Sequence, residues 1–295
     1  MKYVIMGGTG HVGSAASAEL LRRGEEVVIV TRDARRARQR RAAAGLEKAE
    51  FVEANVEDTA VLRAAFRLGS RAFLLNPPAD PKLDTDATER HTVAKILEAI
   101  EASGLKKVVV ASTGGAQPGE CLGDLSVLWE LEQGVARTSI PTAINRAGYY
   151  MSNWDDQLDS VRNSGTLHTM FPADLPIPMV SPRDLGVTAA DRLSSPLDDT
   201  GIQYVEGPRR YSSFEVASAF SRVLRRPVQI EETPRHQWKA TFKALGFSEA
   251  AARSYARMTA ASVDSNFDRS ENPVRGPTTL EEHVEQLVGG RAAAA

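Results

Sequence analysis

The glycine-rich turn near the amino terminus most constrains what this chain can fold into. A short apolar run, 3–6, leads directly into Gly7-Gly8-Thr9-Gly10-His11-Val12-Gly13. Two spacings overlap there: Gly7, Gly10 and Gly13 fit G-x-x-G-x-x-G, and Gly8, Gly10 and Gly13 fit G-x-G-x-x-G. Backbone without β-carbons can turn tightly from strand into helix, admit a pyrophosphate against the main chain, and let the helix pack close to the strand. The following helix offers free N–H groups and the positive end of its dipole to the phosphates. The motif therefore predicts a dinucleotide site at Gly7, Thr9, Gly10, His11, Val12 and Gly13, with His11 a loop contact and not a catalyst.

Further apolar runs at 26–30, 50–52, 71–75, 107–111 and 142–145 alternate with helical patterns at 12–24, 34–43, 59–67, 86–103 and 122–138. Strands apolar on both faces, separated by helices, belong in a parallel sheet covered on both sides. The expected fold is α/β, a Rossmann-type doubly wound parallel sheet, with 1–150 as the dinucleotide-binding domain. Past 150 the alternation stops, and Pro172, Pro176, Pro178 and Pro182 mark irregular chain. A helix at 183–194, a strand at 202–205, a helix at 213–225 and a strand at 227–232 follow, then helices over 235–262 broken at Gly246 and a last helix at 279–288. Residues 151–288 read as a smaller α/β substrate-binding lobe with a soft boundary, because strands after 200 can return to the main sheet. Residues 289–295 lack a packing pattern and read as a fraying tail.

Composition narrows the partners. Lys plus Arg number 36 against 38 Asp plus Glu, and a net charge of -2 gives no general pull toward nucleic acid or anionic membranes. The run Arg35, Arg36, Arg38, Arg40, Arg41 reads as a solvated helix face with one or two cofactor contacts. A single cysteine, Cys121, excludes a disulfide within the chain. No apolar run reaches membrane-spanning length, and the first residues lack signal-peptide anatomy, so the chain reads as cytoplasmic. No His, Cys, Asp and Glu grouping has metal-ligand spacing, and no metal is expected.

The end of the second strand selects the nucleotide. NAD sites place an acid there for the ribose 2′-hydroxyl, whereas Arg suits a 2′-phosphate. Here the strand ends Val28-Ile29-Val30-Thr31-Arg32. Thr31 stands in the acid's place, and Asp33 comes one step late, where it caps the next helix. NADP(H) is the expected cofactor, with Thr31, Arg32 and Arg36 at its phosphate. Later strand ends line the same crevice: Asn55 and Val56 at the adenine, Asn76 and Pro77 at the ribose, Ser112 and Thr113 near the nicotinamide.

In this order these residues resemble the NmrA-like group of atypical short-chain dehydrogenase/reductases. The glycine motif and Thr31-Arg32 match it, and the stretch from Ile144 through Arg146, Gly148, Tyr149, Tyr150 and Asn153 is similar to the family's arginine-proline-glycine segment, with Ala147 in place of the proline. Arg183-Asp184-Leu185-Gly186, and Glu206-Gly207-Pro208 with Tyr211-Ser212, resemble two more of its recurring stretches. The resemblance implies an NAD(P)H-binding protein. It reaches both quinone and azo-compound reductases and non-catalytic redox sensors.

Ordinary members of the wider superfamily carry Tyr and Lys on the helix after the fifth strand, and 122–132 holds neither. Glu132 lies on one helical stripe with Leu125, Leu128 and Val135. It reads either as a carboxylate paired with Arg137 or Arg146, or as an acid of raised pKa. Without the Tyr/Lys pair, acceptors needing little protonation are favoured, because hydride transfer then depends on alignment. Ser112 or Thr113 is the candidate to polarise the acceptor oxygen, and Tyr149 or Tyr150 to donate a proton or stack. Trp154, Met151, Met170, Phe171, Trp238, Phe242 and Met258 form either an apolar pocket or core. The expected function is an NADPH-dependent reductase acting on a small quinone-like or aromatic, conjugated carbonyl compound. The alternatives are a non-catalytic NADP(H) sensor that binds a protein partner, and an accessory reductase of secondary-metabolite biosynthesis.

Overall fold

A computed structural model describes residues 1–42, 45–265 and 269–293. The first half alternates as its apolar runs demand: β1 (Lys2–Met6), α1 (His11–Arg22), β2 (Glu26–Thr31), α2 (Ala34–Arg40), β3 (Glu50–Glu53), α3 (Thr59–Phe66), β4 (Arg71–Leu74), α4 (Thr85–Ile100), β5 (Lys107–Thr113), α5 (Asp124–Ala136) and β6 (Thr142–Ala147). Consecutive strand residues enter opposite layers. Ile5, Ile29 and Val109 pack beneath Val12, Ala16 and Leu20 of α1. Their neighbours Val4, Val28 and Val110 pack beneath Leu62, Ile96 and Leu131 of the helices on the other face. Each such side chain, fully buried, contributes about 1.5–3 kcal/mol.

The strands pair in parallel in the order β3-β2-β1-β4-β5-β6, continued by β10 (Gly201–Glu206) beside β6 and β13 (Val274–Arg275) beside β10. The order reverses between β1 and β4, and a doubly wound sheet opens its ligand crevice there, at the carboxyl ends of the strands. The division drawn at residue 150 does not coincide with an edge of this sheet, since β10 and β13 both belong to it. Helix α7 (Pro182–Ser194) also belongs to the first body. A β-carbon on its Gly186 would lie 2.4 Å from Ala15 Cβ and 2.6 Å from the Ala16 nitrogen, so α1 and α7 approach backbone to backbone.

The remaining chain forms the smaller lobe. Its elements are β7 (Tyr149–Tyr150), a 3-10 segment (Met151–Gln157), α6 (Leu158–Ser164), β8 (Thr166–Thr169), β9 (Ile177–Val180), β11 (Arg210–Tyr211), α8 (Ser213–Leu224), β12 (Gln229–Glu232), α9 (Trp238–Ala244), α10 (Glu249–Asp264) and α11 (Leu280–Ala293). The proline-rich stretch read as irregular holds β9, the middle strand of a three-stranded sheet with ladders two residues long, short enough to accept Pro178. Met151, Trp154 and Phe171 are buried in the lobe core with Tyr211 and Phe220, so of the two readings of these residues the structure supports core. The segment read as a tail continues α11 to Ala293, as an alanine-rich stretch can; residues 294–295 lie outside the described residues.

At the amino ends of β4 and β5, three cations close the base of the sheet. Arg71 donates to the Leu193 and Ser195 carbonyls at 2.5 Å. Lys107, fully buried, donates to Ser195 Oγ at 2.7 Å and the Pro196 carbonyl at 2.8 Å. Arg192 spans the Ile144, Thr200 and Gly201 carbonyls and bonds Asp199 Oδ1 at 3.0 Å. They answer the negative end of α7 and the carbonyls just beyond it.

Candidate active site

The crevice begins at the glycine loop. Gly7 adopts φ +63°, a left-handed conformation that needs glycine. A β-carbon on Gly13 would lie 2.3 Å from the Gly7 oxygen, so Gly13 is what lets α1 start against the loop. No side chain caps α1 at Gly10, which leaves the first N–H groups of the helix open to an anion. Thr9, Gly10 and His11 are exposed, whereas the Val12 side chain enters the core and leaves only its backbone to the loop.

Beside the loop lies a cavity of about 320 Å³, lined by Thr9, Ser14, Thr31, Arg32, Arg36, Arg40 and Arg41 above Leu46 and Phe51. Asp33 also lines the cavity, and its Oδ1 caps the next helix, accepting the Arg36 N–H at 2.8 Å. Arg32, Arg36, Arg40 and Arg41 are exposed, and among the described residues none of their side chains has a hydrogen-bond or ion-pair partner. Arg38, on the opposite side of the same helix, is used structurally and donates to the Phe51 carbonyl at 2.8 Å. The sequence reading gave Arg40 and Arg41 only a solvated face; the structure adds them to the cavity wall. Such a cradle fits a dinucleotide with a phosphate on its ribose.

Further along, Asn55 is exposed and its Oδ1 accepts the Glu57 N–H at 3.2 Å, while Val56 packs on the core edge. Asn76 donates through Nδ2 to the Glu89 carbonyl at 3.3 Å, and its Oδ1 is buried without a partner. Pro77 is half-buried beside it.

The structure gives partners to the candidate catalytic hydroxyls. Ser112 is buried and donates its hydroxyl proton to Glu132 Oε1 at 2.5 Å, so it has no proton free to polarise an acceptor. Glu132 in turn is gripped by Arg146, with Nε to Oε1 at 2.9 Å and Nη2 to Oε2 at 2.7 Å. Of the two readings of Glu132, the paired one with Arg146 is what the fold builds. Tyr149 lies in an aromatic group of the lobe, 5.9 Å from the Trp154 ring and 5.3 Å from Phe171, with its hydroxyl bonded to Asn153. Tyr150, its neighbour on the strand, faces Asp124 instead, and burial pushes its hydroxyl up to about 12. Thr113 is half-buried, its hydroxyl 3.2 Å from the Gly114 carbonyl.

The sequence reading missed a pair of carboxyls. Glu89 on α4 and Asp124 at the start of α5 lie within hydrogen-bonding reach of each other. Burial first, then the neighbouring Asp124, pushes Glu89 up to about 7. Burial raises Asp124 as well. The one available signal was the spacing of Asp124, Leu128 and Glu132, one helical face. Helix α10 closes over this region: Ser254 bonds Asp86 and accepts the Gly123 N–H at 2.8 Å, and Ser248 takes hold of the loop at Pro81 and Leu83. Among the described residues no group of three His, Cys, Asp or Glu is placed to hold a metal, and no helix is long and apolar enough to cross a membrane.

The sequence model of the NmrA-like family matches residues 2–284. The chain belongs to the NmrA-like family. A curated relative, the (4-alkanoyl-5-oxo-2,5-dihydrofuran-3-yl)methyl phosphate reductase of Streptomyces griseus subsp. griseus, is 26% identical over 231 residues, which is 78% of this chain and 76% of that protein. The NmrA-like fold here superposes on the Citrobacter sp. triphenylmethane reductase complexed with NADP(H), with a TM-score of 0.79 at 18% identity over 97% of this chain and 100% of that one. It matches the NADPH-dependent quinone oxidoreductase of Escherichia coli complexed with NADPH at a TM-score of 0.78 and 19% identity, over 97% and 99% of the two chains. These two superpositions establish a shared fold.

Proposed function

We propose that this NmrA-like protein is an NADPH-dependent reductase of a conjugated or aromatic carbonyl compound. The observation that carries the reading is the cavity past Thr31. Four unpartnered arginines line it, and its one acid, Asp33, is spent on a helix cap. A 2′-phosphate supplies the charge those arginines lack, while the cavity's one acid is engaged at a helix start. The three relatives named above are all reductases by name, and two were solved with NADP(H) or NADPH.

Bound NADPH supplies a hydride at the nicotinamide. The chain's own residues do the rest. Loop N–H groups at the start of α1 hold the pyrophosphate, and Arg32 with Arg36 holds the 2′-phosphate. Thr31, Asn55 and Val56 border the adenosine, Asn76 and Pro77 the ribose, and Thr113 the nicotinamide. Helix α5 contains neither Tyr nor Lys, so positioning and water exclusion under α10 supply much of the rate. Asp124, at the start of α5, is exposed at the carboxyl-end side of the sheet, where a substrate would lie.

Calorimetry with NADPH and NADH, followed by NADPH oxidation with menadione, an unsaturated lactone and aromatic ketones, tests the reading. Tight NADPH binding with acceptor-dependent oxidation is expected. NADH bound as tightly as NADPH sinks the nucleotide assignment, and binding without turnover across the panel sinks the reductase.

A further inference from the structure

Reduction of a carbonyl compound leaves negative charge on the substrate, and α5 has no Tyr or Lys to neutralise it. The start of α5 holds a different proton source. Asp124, Leu128 and Glu132 share one face of α5. Glu132 is fixed beneath the carboxyl end of β5 by Ser112 and Arg146. Asp124, two turns toward the helix start, therefore reaches beyond the sheet edge, where a ligand lies. Asp124 is exposed, and burial among its neighbours raises its carboxyl. Around it stand Glu89 and Asp86 of α4, Tyr150 of β7 and Tyr255 of α10.

Glu89 is only 4% exposed and is held by the Ala79 N–H, which donates to Oε1 at 2.9 Å. Two carboxyls this close do not both ionise near neutral pH, so one proton stays between them. The nearby cation does not cancel this: Arg90 is engaged with Glu130 at 2.8 Å and stands 3.7 Å from Asp86 Oδ2. Asp86 Oδ2 faces Arg90 Nη1 at 3.7 Å without a hydrogen bond, and beside Glu89 the buried Asn76 Oδ1 has no hydrogen-bond partner among the described residues. A buried acceptor left open there suits a ligand that brings an N–H or O–H group.

We propose that Asp124 is the catalytic acid of this reductase, with Glu89 as the positioning residue that shares and restores its proton. The proposal rests on the reductase reading above. The substrate carbon gains hydride and a new C–H bond, and its π electrons move onto oxygen or along the conjugated system. The carboxyl O–H bond breaks as a new O–H or C–H bond forms on the substrate, and water returns a proton to the spent pair. The acid separates two substrate classes. A hydroquinone is acidic and leaves without such help, whereas the enolate of an α,β-unsaturated carbonyl compound is strongly basic and needs it. The second class is the substrate this site is built for.

The full-length protein and its Asp124→Asn, Asp124→Glu and Glu89→Gln variants test this. In infrared spectra of the ligand-free protein, a protonated carboxyl band persists near pH 6, where ordinary carboxyls are ionised. It disappears with a midpoint of about 7 and is lost in Glu89→Gln. With an unsaturated lactone, kcat falls about 10²–10⁴-fold in Asp124→Asn. Asp124→Glu restores much of it, Glu89→Gln shifts the pH profile, and the NADPH Kd holds throughout. Menadione reduction falls by less than lactone reduction. A missing band, or lactone reduction and a pH profile unaltered in the amide variants, overturns the proposal. A parent protein that reduces menadione but not the lactone overturns the acid role and leaves the reductase standing. A parent that binds NADPH and reduces neither fails as a reductase, and the acid role falls with it even if the band is present.

Discussion

Cations sit at both ends of the central sheet, and the fold treats them oppositely. At the amino ends of β4 and β5, Arg71, Lys107 and Arg192 are buried, and each is bonded to carbonyls at or just beyond the end of α7. At the carboxyl end of β2, Arg32, Arg36, Arg40 and Arg41 are exposed and bonded to nothing described. Leaving a buried charge unpaired costs several kcal/mol, so the lower three must be satisfied within the chain. Water satisfies the upper four at no such cost, and they stay available to an anion that arrives. The same residue type is structural at one end and receptive at the other, and burial with partners tells which.

The sharpest way to break this comparison is Arg192→Ala. The Ile144, Thr200 and Gly201 carbonyls lose the Arg192 donor and Asp199 keeps only Ser195 and Lys107, and urea unfolding should register a loss of about 3–5 kcal/mol. Arg32→Ala should do the reverse: stability within about 0.5 kcal/mol of the parent, NADPH binding weaker by about 1.5–3 kcal/mol in calorimetry, and NADH binding unchanged. A loss shared equally by both nucleotides would show that Arg32 does not read the phosphate.

Glu89 tests whether place or burial governs, since it is buried at the receptive end. Its folded-state value, about 7 against 4.5, means the native protein keeps a proton that the unfolded chain has released. Its favourable contribution is complete below about pH 4.5 and is lost as pH rises through about 7. Between these limits the parent should lose about 1–3 kcal/mol relative to Glu89→Gln, read as the difference between their urea midpoints across pH. The smallest effect is ionic. Raising salt from about 0.05 to 0.2 M should weaken NADPH binding a few-fold more than NADH binding through the exposed arginines, while the Arg192 network holds.

The sequence made most of the sheet legible, because consecutive residues such as Val4 and Ile5 must enter different layers and both are apolar. The glycine loop and the Thr31-Arg32 strand end were legible for the same local reason: neighbours in sequence are neighbours in the crevice. Glu132 was half legible, since its apolar stripe demanded a partner and Arg146 supplies it. The partners of the Ser112 and Tyr149 hydroxyls were not legible, because positions in the chain say nothing of what a hydroxyl meets. Glu89 and Asp124 were invisible as a pair, because only the packing of α4 beside α5 on one sheet face brings them together. Arg40 and Arg41 looked like part of a solvated face until the cavity beside Thr31 gave them a shared wall.

The late return of β10 and β13 to the sheet has a consequence for synthesis. A growing chain can assemble β1 to β6 first, but the flank of β6 keeps its unpaired N–H and C=O groups until Gly201–Glu206 has emerged. Helix α7 must dock on α1 across a long stretch of intervening sequence, and such non-local contacts form slowly. In the interval the nascent protein displays a sticky strand border, which makes this intermediate the one most exposed to aggregation and the natural client for a chaperone.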